Sequence, residues 1–395
     1  MKKIFFILLI LGYTIHSKAQ STALSSNNYI TINGYISDSI SGEKLIGATV
    51  YDIDKKQGAI TNAFGFFSLT MKAESANLMF SYIGYKSHYI VVKGATVHTL
   101  AIGLASGTTL KTVSVNANRN PIQQQSQMST IDIPIEQIKK IPALFGEVDV
   151  LKVLQLLPGV SKGTEGSSGI FVRGGSPDQN LILLDGVPVY NATHLFGFFS
   201  VFNGDAINNV QLVKGGFPAR YGGRLSSVID INMKEGNKNK IKGEGGVGII
   251  ASRLTIEGPI KNDKTTFILA GRRTYVDVLT RPISYIASDG LGSVGYYFYD
   301  FNAKINHKFS DKDRVFFSGY FGRDVFSGKA VENDLGDKTV LKFGLKWGNR
   351  TAALRWNHLL SPKMFMNTTA TFSRYKFLVS SGFEESVDGV VANTA

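Results

Sequence analysis

The sequence predicts a β-dominated chain: an N-terminal β-sandwich, an α+β domain, and then an incomplete antiparallel transmembrane β-barrel of about seven strands. Three observations predict it. The 42 glycines against 10 prolines, with 26 Phe and 16 Tyr, describe many turns between aromatic strands, because glycine permits positive φ and aromatic rings suit a half-buried pleat. Apolar and polar residues alternate along run after run, the period of a strand with two unlike faces. After the N-terminus no segment approaches the roughly 20 apolar residues of a spanning helix, so crossing a membrane would require a closed barrel.

At the N-terminus Lys2 and Lys3 precede an apolar run from Ile4 to Leu11, and a small-residue site, Ser17-Lys18-Ala19, stands before Gln20. Residues 1–19 read as a secretory signal peptide; the apolar run is too short to anchor in a bilayer. The chain has no cysteine, which excludes a disulfide scaffold, a thiolate metal site and a lipid anchor on an N-terminal Cys. Its formal charge is +13, but Lys and Arg are scattered among strands and turns. For an exported chain that composition favours anionic lipid as the neighbour over nucleic acid.

Residues 29–105 hold short alternating runs, such as Ile30-Thr31-Ile32, Ala48-Thr49-Val50-Tyr51 and Leu78-Met79-Phe80-Ser81-Tyr82, separated by turns at Ser41-Gly42, Gln57-Gly58, Phe64-Gly65 and Ile83-Gly84. Short strands at close intervals predict a sandwich. The wording "INGYISDSISGEKLIGATVYDIDKKQGAITNAFGFFSLT", followed by "MFSYIGYKSHYIVV", resembles the carboxypeptidase regulatory-like domain. In carboxypeptidases that sandwich is an appended module and a separate zinc domain hydrolyses the substrate. No H-E-x-x-H occurs here, and His88 and His98 stand alone in strand-like surroundings, where they read as structural. The chain is expected to be no enzyme and to carry no cofactor.

Residues 112–232 predict a mixed domain. A polar stretch, 118–128, reads as a mobile link. Val150, Val153, Leu154 and Leu157 recur at helical spacing within 147–157, and Pro158-Gly159 stops them. Strands follow at 170–173 and 181–184, with Asp185-Gly186 as a turn. The runs "LQLLPGV", "GIFVRGGSPDQNLILLDGVPVYN", "HLFGFFSVFN" and "NNVQLVKGGFPARYGGRLSSVIDI" resemble, in order, the plug of TonB-dependent receptors. The motif residues are Arg173, Gly174, Gly175, Asp185, Gly186, Lys214, Gly215, Tyr221, Gly222 and Arg224. The glycines allow tight turns beside arginines. The resemblance implies that Arg173 and Arg224 meet carboxylates of a surrounding wall. It also implies that Thr112, Val113, Ser114 and Val115 lie where the family couples to a TonB-type periplasmic protein. The alternating β-branched residues there suit strand addition to a partner's sheet edge, and equally a last sandwich strand.

From residue 240 to 395 the alternation recurs. Tyr299, Phe301, Ala303, Ile305, His307 and Phe309 share one face, while Asp300, Asn302, Lys304, Asn306 and Lys308 share the other. Leu254 and Ile256 oppose Arg253, Thr255 and Glu257, and Met364, Met366, Ala370 and Phe372 form a further apolar side. A barrel in lipid requires this, with polar residues toward the lumen. Turns at 261–264, 310–313 and 361–363 are short, whereas 275–297 and 327–339 read as long loops, the outer-membrane arrangement. The apolar side within 343–360 changes phase near Gly348-Asn349, which predicts a bulge or an extra hairpin. Gly243-x-Gly245-x-x-Gly248 spells the dinucleotide fingerprint, but it stands in alternating strand with no helix after it.

The resemblance implies ligand import across the outer membrane, with the N-terminal domain in the periplasm and an unidentified ligand. A surface receptor or adhesin without transport is the competing expectation. Family barrels resemble closed sheets of many more strands, so the chain is expected to be a truncated product or a partial sequence. Alone it should fail to insert, since an open sheet leaves unpaired edges in lipid.

Overall fold

A computed structural model describes residues 29–94, 97–107, 130–141, 146–163, 168–261, 264–334, 337–387 and 390–394. The signal-peptide expectation, the link at 118–128 and the segment Thr112, Val113, Ser114 and Val115 lie outside the described residues.

The first domain is two facing sheets. Its strands are β1 (Tyr29–Asp38), β2 (Thr49–Asp52), β3 (Gln57–Ile60), β4 (Phe66–Lys72), β5 (Ser75–Ser81), β6 (His88–Lys93) and β7 (Val97–Leu104). One sheet runs β4-β1-β7 and the other β3-β2-β5-β6. Their inner faces bury Ile30, Ile32, Ile36, Val50, Phe67, Leu69, Leu78, Phe80 and Leu104 in one core. His88 opens β6 and His98 lies in β7.

The middle domain contains β8 (Thr130–Pro134), α1 (Ile135–Ile138), α2 (Val150–Leu154), β9 (Val160–Lys162), β10 (Ile170–Val172), β11 (Asn180–Leu184), β12 (Val187–Pro188), β13 (Thr193–His194), β14 (Phe199–Ser200), β15 (Ile207–Val213) and β16 (Ser227–Met233). Its main sheet is ordered β12-β11-β16-β15-β8, with β11 and β16 parallel. The predicted helix is present but short. Asp149 caps α2 by accepting from the backbone of Leu151 and Lys152, and Val150, Leu151, Val153 and Leu154 are all buried. Asp185-Gly186 forms the β11–β12 turn with φ of 48° and 78°, the primed geometry that a tight hairpin requires.

The last domain is an eight-stranded, sequentially ordered antiparallel sheet, one strand more than the expected seven: β17 (Lys242–Val247), β18 (Ala251–Lys261), β19 (Thr265–Thr274), β20 (Gly292–Lys308), β21 (Asp313–Asp334), β22 (Asp337–Ser361), β23 (Met364–Val387) and β24 (Val390–Thr394). It curves around the middle domain, and its burial is inside out for a protein in water. Thr255, Thr266, Arg272, Asp300, Asn302, Asn306 and Ser318 are buried, while Leu254, Phe301, Ile305, Phe317, Leu354 and Phe372 are exposed. The polar side faces the middle domain and the oily side faces out. The glycine motif at Gly243 lies in β17, paired with β18, so its strand setting is retained.

Three expectations need correction. The 327–339 loop is ladder: Ser327 pairs with Gly344, and the pairing continues to Asp334 opposite Asp337. At ~3.3 Å per residue, even a tilted strand of this length outruns a hydrocarbon layer about 30 Å thick. Past the lipid the side chains lose their alternation but the backbone keeps its hydrogen bonds. The 275–297 loop contains α3 (Val276–Ala287), a helix with Pro282 inside it. The phase change at Gly348-Asn349 is neither bulge nor hairpin. The register with β23 holds through Gly348↔Lys376 and Asn349↔Tyr375, and with β21 at Arg350↔Phe321 and Trp347↔Asp324. What changes there is the chemistry of each face. The inward side passes from Thr351 and Asn349 to Trp347 and Leu345, the outward side from Trp356 and Leu354 to Lys346 and Lys342.

The sandwich docks at the short-turn end. Phe66 stacks on Phe365 at 5.2 Å, and Ser68 Oγ donates to the Pro362 carbonyl at 2.9 Å. Glu43 accepts from the Glu235 backbone N–H at 2.8 Å and from Asn208 at 3.1 Å. Burial and the neighbouring Glu235 carboxylate push the Glu43 carboxyl up from 4.5 to about 8. An acid whose pKa is raised by docking stabilises the docked state at low pH and loses that contribution as pH rises through the raised value. Docking is therefore expected to weaken between pH 4.5 and about 8, and Glu43→Gln to flatten the dependence. Hydrogen exchange at the Glu235 and Lys238 amides measures it; equal pH slopes in both proteins would contradict it.

Candidate functional site

The inward pleat of the sheet and the surface of the middle domain meet through charged and polar groups. At the centre, Arg272 of β19 lies directly opposite Asp300 of β20 and is paired with it at 2.7 Å. The same guanidinium reaches Glu147 at 3.4 Å and donates to the Ser200 carbonyl at 2.9 Å, both in the middle domain. Beside it, His194 of β13 is inserted between two strand carboxylates. Its Nδ1 is 2.6 Å from Asp324, its Nε2 is 3.4 Å from Asp300, and its ring stacks on Phe298 at 4.0 Å. Burial opposes charging this imidazole, but the carboxylates of Asp324 and Asp300 outweigh it and hold its pKa above 6.5. Asp324 also accepts from the Leu195 backbone N–H at 3.1 Å and from the Tyr296 hydroxyl.

Two more groups flank this centre. Lys304 of β20 pairs with Asp185 at 3.1 Å and donates to the Met233 carbonyl at 3.0 Å, while Arg355 of β22 donates to the Asp185 carbonyl at 2.6 Å. Arg253 of β18 pairs with Asp205 at 2.8 Å, and Lys139 joins the same carboxylate at 2.7 Å. Apart from His194 and Lys139, the cations belong to the sheet and the carboxylates they meet across the interface to the domain inside it.

The motif residues fall into two places. Asp185 and Gly186 face the sheet, where Arg355 and Lys304 meet them. The others gather around the turn that follows β10 and the stretch that leads into β16. Arg173 and Gly174 take φ of 48° and 83° there. A Cβ on Gly175 would collide with Ser226 Oγ, and one on Gly215 would lie 3.3 Å from the Arg173 guanidinium. Lys214 donates to the Pro158 carbonyl at 2.6 Å. Tyr221 donates to Asp230 at 3.0 Å, under the Arg220 guanidinium at 4.7 Å from the ring. Gly222 and Arg224 are exposed, and Arg224 donates to the Gly223 carbonyl at 2.8 Å. Arg173 is exposed as well.

The sequence reading missed Glu147, His194, Arg272, Asp300, Lys304 and Asp324 as site residues. One signal could have found the central pair: Arg272 and Asp300 are inward residues on neighbouring strands that the 275–297 connection brings opposite each other. Arg272→Ala would leave buried Glu147 with only Arg253, at 3.5 Å, and Asp300 with only His194, at 3.4 Å, a loss of about 3 kcal/mol. Thermal unfolding of the detergent-solubilised protein measures it, and an unchanged midpoint would count against this centre.

Residues 118–228 match the family model of the TonB-dependent receptor plug domain, and residues 32–117 that of the CarboxypepD_reg-like domain. The vitamin B12 transporter BtuB of Vibrio vulnificus (strain YJ016) is 33% identical over 136 residues, which are 32% of this chain and 21% of the transporter. The chain thus spans about a fifth of that relative's length. Among solved structures, the siderophore receptor PirA of Pseudomonas aeruginosa is similar at a TM-score of 0.36 and 16% identity, covering 66% of this chain and 62% of that one. A mutant of the ferric enterobactin receptor PfeA of Pseudomonas aeruginosa is similar at a TM-score of 0.40 and 15% identity, covering 67% and 55%. From the plug motifs and the matched domain models, residues 118–228 are the plug domain of a TonB-dependent receptor, with a CarboxypepD_reg-like domain at residues 32–117 ahead of it and an inside-out strand wall of the outer-membrane kind after it.

Proposed function

We propose that this chain serves TonB-dependent active import of a ligand across the outer membrane. The carboxypeptidase regulatory-like domain would lie in the periplasm, and the reaction would be transport, with no catalytic residue. One observation carries the reading. The plug meets the strand wall through a set of ion pairs and hydrogen bonds, such as Arg272 with Glu147, Lys304 with Asp185 and Arg253 with Asp205, beside one apolar cluster of Phe199 with Tyr296, Phe298 and Trp347. Groups of this kind can be rehydrated when a plug is displaced, whereas an apolar interface would lose about 25 cal/mol for every Å² exposed. A polar seat therefore suits a plug that moves. The similarity to a vitamin B12 transporter is in keeping with import as a class.

In this reading Thr112, Val113, Ser114 and Val115 are the coupling segment, joined by strand addition to the edge of a TonB-type periplasmic protein. The exposed Arg173 and Arg224 would meet further carboxylates of the receptor wall, and the ligand would enter from the long-loop side. The chain has no cysteine, so Val113→Cys gives a single site for disulfide trapping against a cysteine-bearing TonB periplasmic domain. We expect a cross-link at Val113 that is absent for Lys55→Cys, an exposed sandwich position. No cross-link at Val113, or equal cross-linking at both positions, would contradict the coupling role.

A further inference from the structure

The outward face of the sheet carries a second group of cations that the plug does not use. Residues opposite one another on a ladder share a face. Arg350 is opposite both Phe321 and Arg374, Lys376 is opposite Gly348, and Lys346 is opposite Leu378. All lie on the side of the exposed Leu354 and Phe372, and Arg323 follows Phe321 by two residues on the same face. Arg323, Lys346, Arg350, Arg374 and Lys376 line a cavity of about 160 Å³ with Gly322 and Gly348 in its wall. Gly348 makes the cavity possible. A Cβ there would collide with the Gly322 carbonyl oxygen, so the centre of the group holds backbone and no side chain.

Among the described residues none of these five cations is in an ion pair with a carboxylate. Arg350 lies over the Phe321 ring at 5.1 Å, and Glu384, farther out on β23, is taken by Lys342 at 3.1 Å. Concentrating positive charge without a counter-ion is unfavourable unless something anionic fills the gap. The height of the group on the wall says what that is. It stands where the outward apolar side chains end, toward the long-loop side. Just beyond it, α3 is tied to β21 by Arg281, which donates to Ser327 Oγ at 3.3 Å. Val278, Ile283 and Ile286 of that helix are 61%, 64% and 74% exposed. An amphipathic helix with a bare apolar side, lying next to a basic cavity at the edge of an oily band, marks the level of lipid head groups.

We propose that this cavity binds the anionic, phosphate-bearing head group of an outer-leaflet lipid. Three guanidinium groups offer paired donors to phosphate oxygens, and the two ammonium groups add charge from the rim. The test is native mass spectrometry of the full chain taken from mixed micelles of phosphatidic acid and phosphatidylcholine in equal amounts. Phosphatidic acid should be retained preferentially, and its retention should fall as NaCl is raised. At about fivefold per charge, Arg323→Gln/Arg350→Gln/Arg374→Gln should weaken it on the order of a hundredfold, while the corresponding triple Lys variant, which keeps the charge and loses the paired donors, should bind more weakly than the parent and more tightly than the Gln variant. Equal retention of the two lipids, indifference to NaCl, or a Gln variant that binds as before would overturn the proposal. So would complete displacement of the lipid by millimolar inorganic phosphate, which would make this a site for the free anion.

Discussion

The structure depends on one constraint: in hydrocarbon a strand must give every backbone polar group to its neighbours and show the lipid only apolar side chains. The period of the pleat then sends every second residue to the other side, where water or protein receives it. Phe301 and Ile305 face out, and Asp300, Asn302, Lys304 and Asn306 face in. The inward residues are free to be polar because the outward ones satisfy the membrane. The plug site follows from that freedom.

What fills the inside decides how the polar pleat is used. The wall supplies Arg253, Arg272, Lys304 and Arg355, and the plug brings Glu147, Asp185 and Asp205 to them. His194 reverses the pattern, entering between Asp300 and Asp324 with the Phe298 ring against its face. Charges this deeply buried are geometrically exacting, and one left buried without its partner is costly, so they fix the plug's register in the wall. They add less to the free energy of holding it there than an oily interface of equal size would. Apolar contacts accompany them: Tyr320 of β21 joins the plug core around Val150, Leu154, Val210 and Ile231, and Phe199 packs with Tyr296, Phe298 and Trp347.

Much of this was legible in residue order because it is local. Asp185-Gly186 announces its turn, Val150, Val153 and Leu154 announce their helix, and the alternation from Tyr299 to Phe309 announces a two-sided strand. What was not legible depends on where lipid stops. Between Ser327 and Thr339 the alternation fades because the strands have left the bilayer, and fading alternation reads as a loop. The same boundary at Gly348 exchanges polar and apolar faces without moving the pleat. α3 was hidden by Pro282 and by the lack of a capping side chain at Tyr275. The central site was hidden for another reason. Glu147, His194, Arg272, Asp300 and Asp324 are spread over nearly half the chain, and only the curvature of the sheet around the plug brings them together.

The account is tested most directly by asking what the outward face touches. With no native cysteine in the chain, a nitroxide can be placed alone at Leu354→Cys, which points out from β22, or at Thr351→Cys, which points in. With the chain carried in a whole receptor in outer-membrane vesicles, the label at 354 should be relaxed strongly by oxygen, which concentrates in lipid, and weakly by a water-soluble nickel chelate, with the label at 351 shielded from oxygen. A label at 354 that responds to the chelate as an aqueous surface does would contradict the membrane-facing wall and the plug site built upon it.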